Sequence, residues 1–182
     1  MLVHAAAGGV GTQAIQQARL MGATQVIATA STDEKLALTQ SLGATATINY
    51  TVESFSERVN ELTDGRGADV ILDAVGGAVF EESQRCLAPL GRLVIYGTSS
   101  GQPRQVDQEV LLDASRATAG FSIVTIRAQP QLLRSSLSEL IQWAAAGQLR
   151  VVIGDVYPLG NAATAHARME ARQTTGKLLL TP

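Results

Sequence analysis

The sequence predicts an α/β fold: a doubly wound parallel sheet in strand order 3-2-1-4-5-6, with helices on both faces and a C-terminal αβαβ tail. Short apolar or β-branched runs recur near Val3, Ile27, Ile48, Ile71 and Val94, about 21 to 24 residues apart, with helix-like segments between them. Such alternation is typical of right-handed βαβ crossovers. The runs at 70–72 and 93–95 are wholly apolar, as in strands that are covered on both faces, and a glycine-rich segment follows the first run.

The helices between these strands are predicted from apolar periodicity and from their start and stop signals. Thr32 is placed to cap the second helix and Gly43 to end it, while Pro89 stops the fourth. The four predicted helices cover residues 10–21, 33–42, 53–62 and 79–87, and a sixth strand lies near Phe121.

The pattern changes after about residue 127. A longer helix is predicted over 131–146, a short strand over 151–153, a helix over 160–172 and a last strand over 177–181. We therefore expect a nucleotide-binding domain over residues 1–127 and a tail over 128–182 that does not continue the crossovers.

Composition excludes several functions. The 182 residues are 46% hydrophobic with a net charge of −2, which gives a sizeable core and no basic field for nucleic acid or an anionic membrane. One Trp, three Tyr and three Phe are too few for a base-stacking surface. No apolar run approaches the ~20 residues of a membrane span, and no secretory signal is visible. A single cysteine, Cys86, excludes an intrachain disulfide, so a cytoplasmic protein is expected.

The glycine-rich segment carries the first functional signal. Residues 6–11 read Ala-Ala-Gly-Gly-Val-Gly between a strand and a helix, the context that a dinucleotide-binding fingerprint requires. Gly8 would let the backbone approach a pyrophosphate, and Gly11 would let the helix pack closely on the strand. The helix N-terminus would supply N–H groups to the phosphates. A tight turn without a ligand is the alternative reading, and with a ligand the fold is of the Rossmann type.

The end of the second strand indicates which dinucleotide binds. An NAD site usually has an Asp or Glu there, but the strand ends at Ser31 with no acid at its tip. Asp33 and Glu34 follow in the start of the helix, where acids also suit the dipole. Lys35 could meet a 2′-phosphate, which favours NADP(H) over NAD(H). An ordinary solvated lysine is the other reading.

Two further turns of small residues follow the fourth and fifth strands, at 73–77 with Val75 and at 96–101 with Gly97, Thr98 and Ser99. Ligands of doubly wound sheets bind beyond these strand ends, although simple turn chemistry explains each residue equally well. His4 is expected to be buried structure, Cys86 to pack in a helix, and no catalytic residue or metal-ligand spacing is found.

Several segments together resemble one known family. The glycine segment with His4, the Asp-Glu-Lys run at 33–35, and the segments 43–44, 48–50, 69–73, 91–94 and 175–180 are similar to zinc-independent, zeta-crystallin-like quinone oxidoreductases. This group belongs to the medium-chain dehydrogenase/reductases. The resemblance covers essentially the whole chain.

The resemblance implies hydride transfer from NADPH to a quinone or another conjugated carbonyl compound. It places Lys35 and Tyr50 on the adenosine 2′-phosphate, Gly9 and Val10 on the pyrophosphate, and Arg172 on the cofactor phosphates. Toward the nicotinamide it places Gly97, Thr98, Ser99 and Phe121. The strand 117–123 would form a homodimer edge, and no metal is expected in this chain. The family's GroES-like catalytic domain, with which the tail would pack, would lie upstream of residue 1.

Three other functions stay open on the sequence. An enoyl reductase part of a polyketide or fatty-acid synthase would have the same fold. A non-catalytic NADPH-binding module would bind the cofactor without reducing a substrate. An S-adenosylmethionine methyltransferase also begins with a glycine-rich loop, but the missing acid after the second strand disfavours it.

Overall fold

A computed structural model describes residues 1–182, and its main sheet has six parallel strands. The strands run β3-β2-β1-β4-β5-β6 across the sheet, which confirms the predicted order. Their bounds are β1 Leu2–Val3, β2 Ile27–Ala30, β3 Ala46–Asn49, β4 Ala68–Asp73, β5 Leu87–Ile95 and β6 Ala117–Gly120. A second sheet pairs β7 Ile153–Pro158 with β8 Lys177–Thr181, also in parallel.

Helices connect the strands, and their first turns explain where they begin. Thr32 caps its helix by accepting a hydrogen bond from the Lys35 N–H at 3.3 Å, as predicted, and Ser54 caps the next in the same way. The helices are α1 Gly11–Leu20, α2 Asp33–Ser41, α3 Phe55–Leu62, α4 Ala78–Arg85, α5 Gln108–Asp113, α6 Ile123–Arg127, α7 Pro130–Ala145 and α8 Ala162–Glu170. A 3-10 turn, Leu159–Asn161, precedes α8.

Several predicted bounds are wrong. Helix α4 ends at Arg85 rather than at residue 87, because the Ala68 N–H reaches the Cys86 carbonyl at 2.8 Å and draws the chain into β5. Pro89 therefore lies inside an irregular strand, where the register with β4 shifts. The helix α5, capped by the Asp107 side chain, was not predicted.

Strand β6 ends at Gly120 instead of continuing to residue 123, because a helical turn follows, in which the Thr125 N–H donates to the Ser122 carbonyl at 3.1 Å. Strand β7 begins at Ile153 rather than at 151 and continues to Pro158.

The core lies on both faces of the sheet. The neighbouring residues Leu2 and Val3 of β1 are both fully buried, on opposite faces, because side chains alternate along a strand. Leu2 packs with Ile71, Phe80 and other residues on the face that α3 and α4 cover, and Val3 packs with residues of α1 and β2 on the other face. Each large side chain buried in this way stabilises the fold by about 1.5–3 kcal/mol.

One part of the sheet has no helix over it. On the α1 face, the half-buried side chains of Val70, Leu72 and Val94 of β4 and β5, and of Tyr96 directly after β5, line a groove of about 1420 Å³. Phe121, directly after β6, lines the same groove and is 49% exposed. Strands of a parallel sheet are usually covered on both faces, so this bare face is an exposed apolar surface.

The tail contacts the main sheet near its glycine-rich loop. The Gly176 N–H donates to the Ala7 carbonyl at 2.8 Å, so β8 starts beside that loop. The Gln16 side chain is bonded to the backbone of Arg150 through both its amide nitrogen and its oxygen, at 2.9 and 2.7 Å. None of the eight α-helices is long and apolar enough to cross a membrane.

Candidate functional site: a dinucleotide cleft

The loop between β1 and α1 is a turn of small residues with free N–H groups. It turns at Ala5, whose φ is 47°, and the Gly8 N–H donates to the Ala5 carbonyl at 3.0 Å. At the start of helix α1, the Thr12 N–H donates a hydrogen bond to the Gly8 carbonyl at 3.0 Å. The N–H groups of Gly9 and Val10 donate to no backbone carbonyl. Together with the positive end of the helix dipole, they form a ready anion-binding group.

Gly11 is required by the close approach of α1 to the end of β1. A β-carbon at this position would lie 2.5 Å from the Ala5 carbonyl oxygen and 2.6 Å from the Ala6 α-carbon. Both of these atoms belong to the backbone and cannot rotate away. The predicted role of Gly11 in helix–strand packing is therefore confirmed, and it places the N-terminus of α1 directly beyond the strand.

The predicted site residues lie around two cavities at the carboxyl ends of the strands. The first, of about 530 Å³, is lined among others by Gly8, Ser31, Lys35, Tyr50, Val75, Ser99 and Arg172. The second, of about 540 Å³, is lined among others by Gly97, Thr98 and Phe121. The first cavity thus collects the residues expected around the adenosine and its 2′-phosphate, together with Ser99, and the second collects the other residues expected at the nicotinamide. The Val10 side chain lies elsewhere: it is 52% exposed and lines the groove at the bare face.

The tip of β2 is cationic. The Lys35 ammonium donates to the Arg172 carbonyl at 2.5 Å, which brings the start of α2 and the tail together at the first cavity. Tyr50, at the end of β3, is 38% exposed and lines the same cavity. Asp33 and Glu34 lie in the first turn of α2. The pKa of the Glu34 carboxyl is lowered by hydrogen bonds from the backbone N–H of Glu34 and from the Thr32 side chain. Both acids thus belong to the helix rather than to the end of β2, while Glu82 and Glu170 line the same cavity as Lys35 and Arg172.

A buried carboxylate that sequence reasoning left without a role orders the opposite wall. Asp73 is fully buried at the end of β4 and accepts hydrogen bonds from the N–H groups of Val75, at 2.7 Å, and Gly76, at 3.1 Å. The Arg104 Nε lies 3.8 Å from the Asp73 carboxylate, and the same guanidinium donates to the Gly97 carbonyl. These contacts hold the turns after β4 and β5 together. The turn of small residues at 73–77 was the only sequence signal, since nothing in the spacing connects it to Arg104.

His4 forms part of the floor of the first cavity as a neutral, fully bonded side chain. Since the Ser83 hydroxyl donates to the Val79 carbonyl, it accepts from the His4 Nε2 at 2.9 Å. Nδ1 then accepts from the Thr29 hydroxyl at 3.0 Å. Burial lowers the pKa of His4 to about 4. His4 thus ties β1, β2 and α4 together, as the expectation of a structural histidine requires.

No metal centre is formed by this chain. The structure contains no group of three or more His, Cys, Asp and Glu side chains that could hold an ion. The residues present therefore do not fit a zinc ion.

The fold and this site define a nucleotide-binding domain of the Rossmann type: a six-stranded parallel sheet with a glycine-rich strand-to-helix turn at the point where the strand order reverses. Residues 9–152 match the protein family described as zinc-binding dehydrogenase. The chain belongs to that family, although no group of three or more of its His, Cys, Asp and Glu side chains could hold a zinc ion.

The relatives place the chain more narrowly. A quinone oxidoreductase of Pseudomonas aeruginosa is 40% identical to this chain over the whole chain. Among solved structures, the Escherichia coli quinone oxidoreductase in complex with NADPH is 36% identical and superposes with a TM-score of 0.91. The chain covers 56% of each and corresponds to their C-terminal part, so it spans about half the length of these relatives. A polyketide synthase subunit of Mycobacterium tuberculosis is 32% identical over 99% of the chain, which covers 8% of that protein. The predicted resemblance to quinone oxidoreductases is confirmed.

Proposed function

We propose that this chain is the NADP(H)-binding part of an oxidoreductase that transfers hydride from NADPH to a quinone or another conjugated carbonyl compound. The observation that carries the proposal is the combination of free loop N–H groups with Lys35 and Arg172 in one cavity at the end of β2, where the strand itself ends without an acid. The solved NADPH complex of the E. coli relative, which has the same fold, supports the choice of cofactor.

Each part of the cleft has a distinct role in this proposal. The N–H groups of Gly9 and Val10, with the dipole of α1, hold the pyrophosphate. At the tip of β2, the 2′-phosphate is held by Lys35, with Ser31, Tyr50 and Arg172 around it. The adenosine lies against Gly8 and Val75.

The second cavity orients the reacting end of the cofactor. In this proposal Gly97, Thr98 and Phe121 of the second cavity, with Ser99 on the wall of the first, lie beside the nicotinamide, which supplies the hydride when the cofactor is bound. No side chain of this chain is assigned as a general acid or base, and we propose chemistry without zinc. The contribution of these residues is orientation and the exclusion of water from the nicotinamide.

Binding of NADPH and NADH to the purified chain tests the phosphate site. Lys35→Met removes the ammonium while keeping an apolar stem. A hydrogen bond to a charged group contributes about 1.5–3 kcal/mol, so NADPH affinity should fall about 10- to 100-fold. NADH affinity should stay unchanged. Arg134→Met, which removes an exposed charge on α7, should leave both affinities unchanged. Equal affinity of the wild-type chain for NADPH and NADH would contradict the proposal.

The polyketide synthase relative supports a second candidate, an enoyl reductase part of such a synthase. Comparison of a quinone with an enoyl thioester, each offered with NADPH to a protein that carries this chain in its full length, decides between the two. Binding of NADPH without reduction of either substrate would favour a non-catalytic module.

We also propose a homodimer formed through β6. This strand, Ala117–Gly120, is at the edge of the sheet, so one row of its backbone groups has no strand partner. Alternate residues of a parallel strand donate to the same neighbour, and Phe121 donates to β5, so the N–H of Thr118 points to the outer edge. Thr118→Pro should therefore give monomers by light scattering, while Thr118→Val stays dimeric. An unchanged mass for the proline variant would argue against this edge.

We propose a cofactor domain over 1–127 and a tail over 128–182 that packs with the upstream GroES-like domain of the family. A cytoplasmic location is supported by the single cysteine, which is free and buried. Limited proteolysis tests the boundary: a stable fragment should end near residue 127.

A further inference from the structure

The chain has only two lysines, and both lie near the ends of the first two strands. Lys35 is at the tip of β2. Lys177 is 142 positions away in sequence and starts β8, the strand whose preceding residue, Gly176, is bonded to Ala7 of the glycine-rich loop. The tail therefore delivers an ammonium to the loop itself, a position that sequence spacing alone did not reveal.

The Lys177 side chain runs along Gly9. A β-carbon at residue 9 would lie 2.9 Å from the Lys177 Cε and 3.1 Å from its Nζ, so the end of the lysine side chain passes directly over Gly9. The backbone of Lys177 is fixed, because its N–H donates to the Val152 carbonyl at 2.9 Å. The four ion pairs of the protein involve other residues, so the Lys177 ammonium has no carboxylate partner.

We propose that Lys177 is a cofactor-binding residue whose ammonium contacts the pyrophosphate of the dinucleotide. The loop offers the free N–H groups of Gly9 and Val10, and Lys177 adds a full positive charge beside them. Amide donors and an ammonium converging on one loop are the usual chemistry of phosphate binding. This inference rests on the proposed function and deepens it.

The two lysines then have separable roles. Lys35 recognises the 2′-phosphate, which only NADPH carries, whereas Lys177 contacts the pyrophosphate, which NADPH and NADH share. A lysine that only packs its stem on Gly9 would affect neither nucleotide through its charge. The stem and the charge can be separated by substitution, since methionine keeps much of the stem and arginine restores the charge.

Nucleotide titrations of Lys177→Met and Lys177→Arg test the inference. Lys177→Met should bind both NADPH and NADH about five- to tenfold more weakly, as expected for one partly exposed charge contact, and Lys177→Arg should recover most of this loss. The difference between wild type and Lys177→Met should shrink in high salt. Lys35→Met serves as the matched control, because it should weaken NADPH alone. Wild-type affinity of Lys177→Met for both nucleotides would overturn the inference.

Amine labelling with mass spectrometry gives a second readout that a packing role would not produce. NADPH and NADH should both protect Lys177 from acetylation by a succinimidyl ester, whereas only NADPH should protect Lys35. Labelling of Lys177 that is unaffected by bound NADPH would refute the contact while leaving the proposed function intact. Failure of the wild-type chain to bind either nucleotide would instead refute the proposed function.

Discussion

Replacing Gly11 by alanine should separate helix α1 from the end of β1. The new β-carbon would lie 2.5 Å from the Ala5 carbonyl oxygen, whereas carbon atoms in contact are normally about 3.5 Å from their neighbours. The start of α1 must then move by roughly 1 Å. Overpacking of this kind destabilises by about 1–3 kcal/mol, and the higher helix propensity of alanine offsets at most about 1 kcal/mol. We expect a net loss of about 1–2 kcal/mol.

Thermal unfolding followed by circular dichroism measures this loss as a fall in Tm of about 2–8 °C for a chain of this size. NADPH affinity should fall as well, because the phosphate-binding N–H groups of Gly9 and Val10 lead directly into the displaced helix and would move with it. Gly160→Ala is the control, since nothing lies within 4 Å of a β-carbon at that position. A Gly11→Ala variant with wild-type Tm would show that the close approach does not constrain the loop.

Three further predictions follow from buried groups. The folded-state pKa of His4 is about 4, below its unfolded value, so the unfolded chain binds more protons in acid. The free energy of unfolding should therefore fall by about 2 kcal/mol between pH 7.5 and pH 5.0. Urea titrations should show a smaller fall for His4→Asn than for the wild type. Burial raises the pKa of Cys86 to about 12, so a disulfide reagent at pH 8 should modify this thiol only in denaturant. Asp73→Asn leaves the Arg104 guanidinium without its counter-charge, and chemical denaturation should show a loss of about 2 kcal/mol.

A specific result would contradict each of these three predictions. An equal pH dependence for wild type and His4→Asn would mean that the histidine is not held neutral in the fold. Rapid modification of Cys86 in the native protein would place it outside the core. Wild-type stability of Asp73→Asn would remove the carboxylate from its role between the β4 and β5 turns.

The order of the sheet was predictable because local signals repeat. Each strand run is short and apolar, and each helix has a period of its own, so alternation alone leads to the parallel topology. Gly8 and Gly11 were identifiable for the same reason: the segment between a strand and a helix is local in sequence. Lys35 followed from its position just after the second strand.

The remaining features depend on contacts between distant residues. Arg104 meets Asp73 from a loop 31 positions later, and Lys177 reaches Gly9 from the opposite end of the chain. The end of α4 was missed because a hydrogen bond from Ala68 to Cys86, rather than helix propensity, decides it. The predicted strand β6 was too long because Ile123 favours strands in isolation but begins a helical turn here.

Because β4 and β5 have a bare face, the melting temperature of this chain should depend on whether the groove at that face is occupied. Anything that settles into the groove beside Val70, Leu72 and Val94 binds the native state and not the unfolded chain. By mass action it would stabilise the fold by about 2.7 kcal/mol at a hundred times its dissociation constant. The thermal stability of this chain is therefore not a fixed property: it should rise with the concentration of whatever fills the groove.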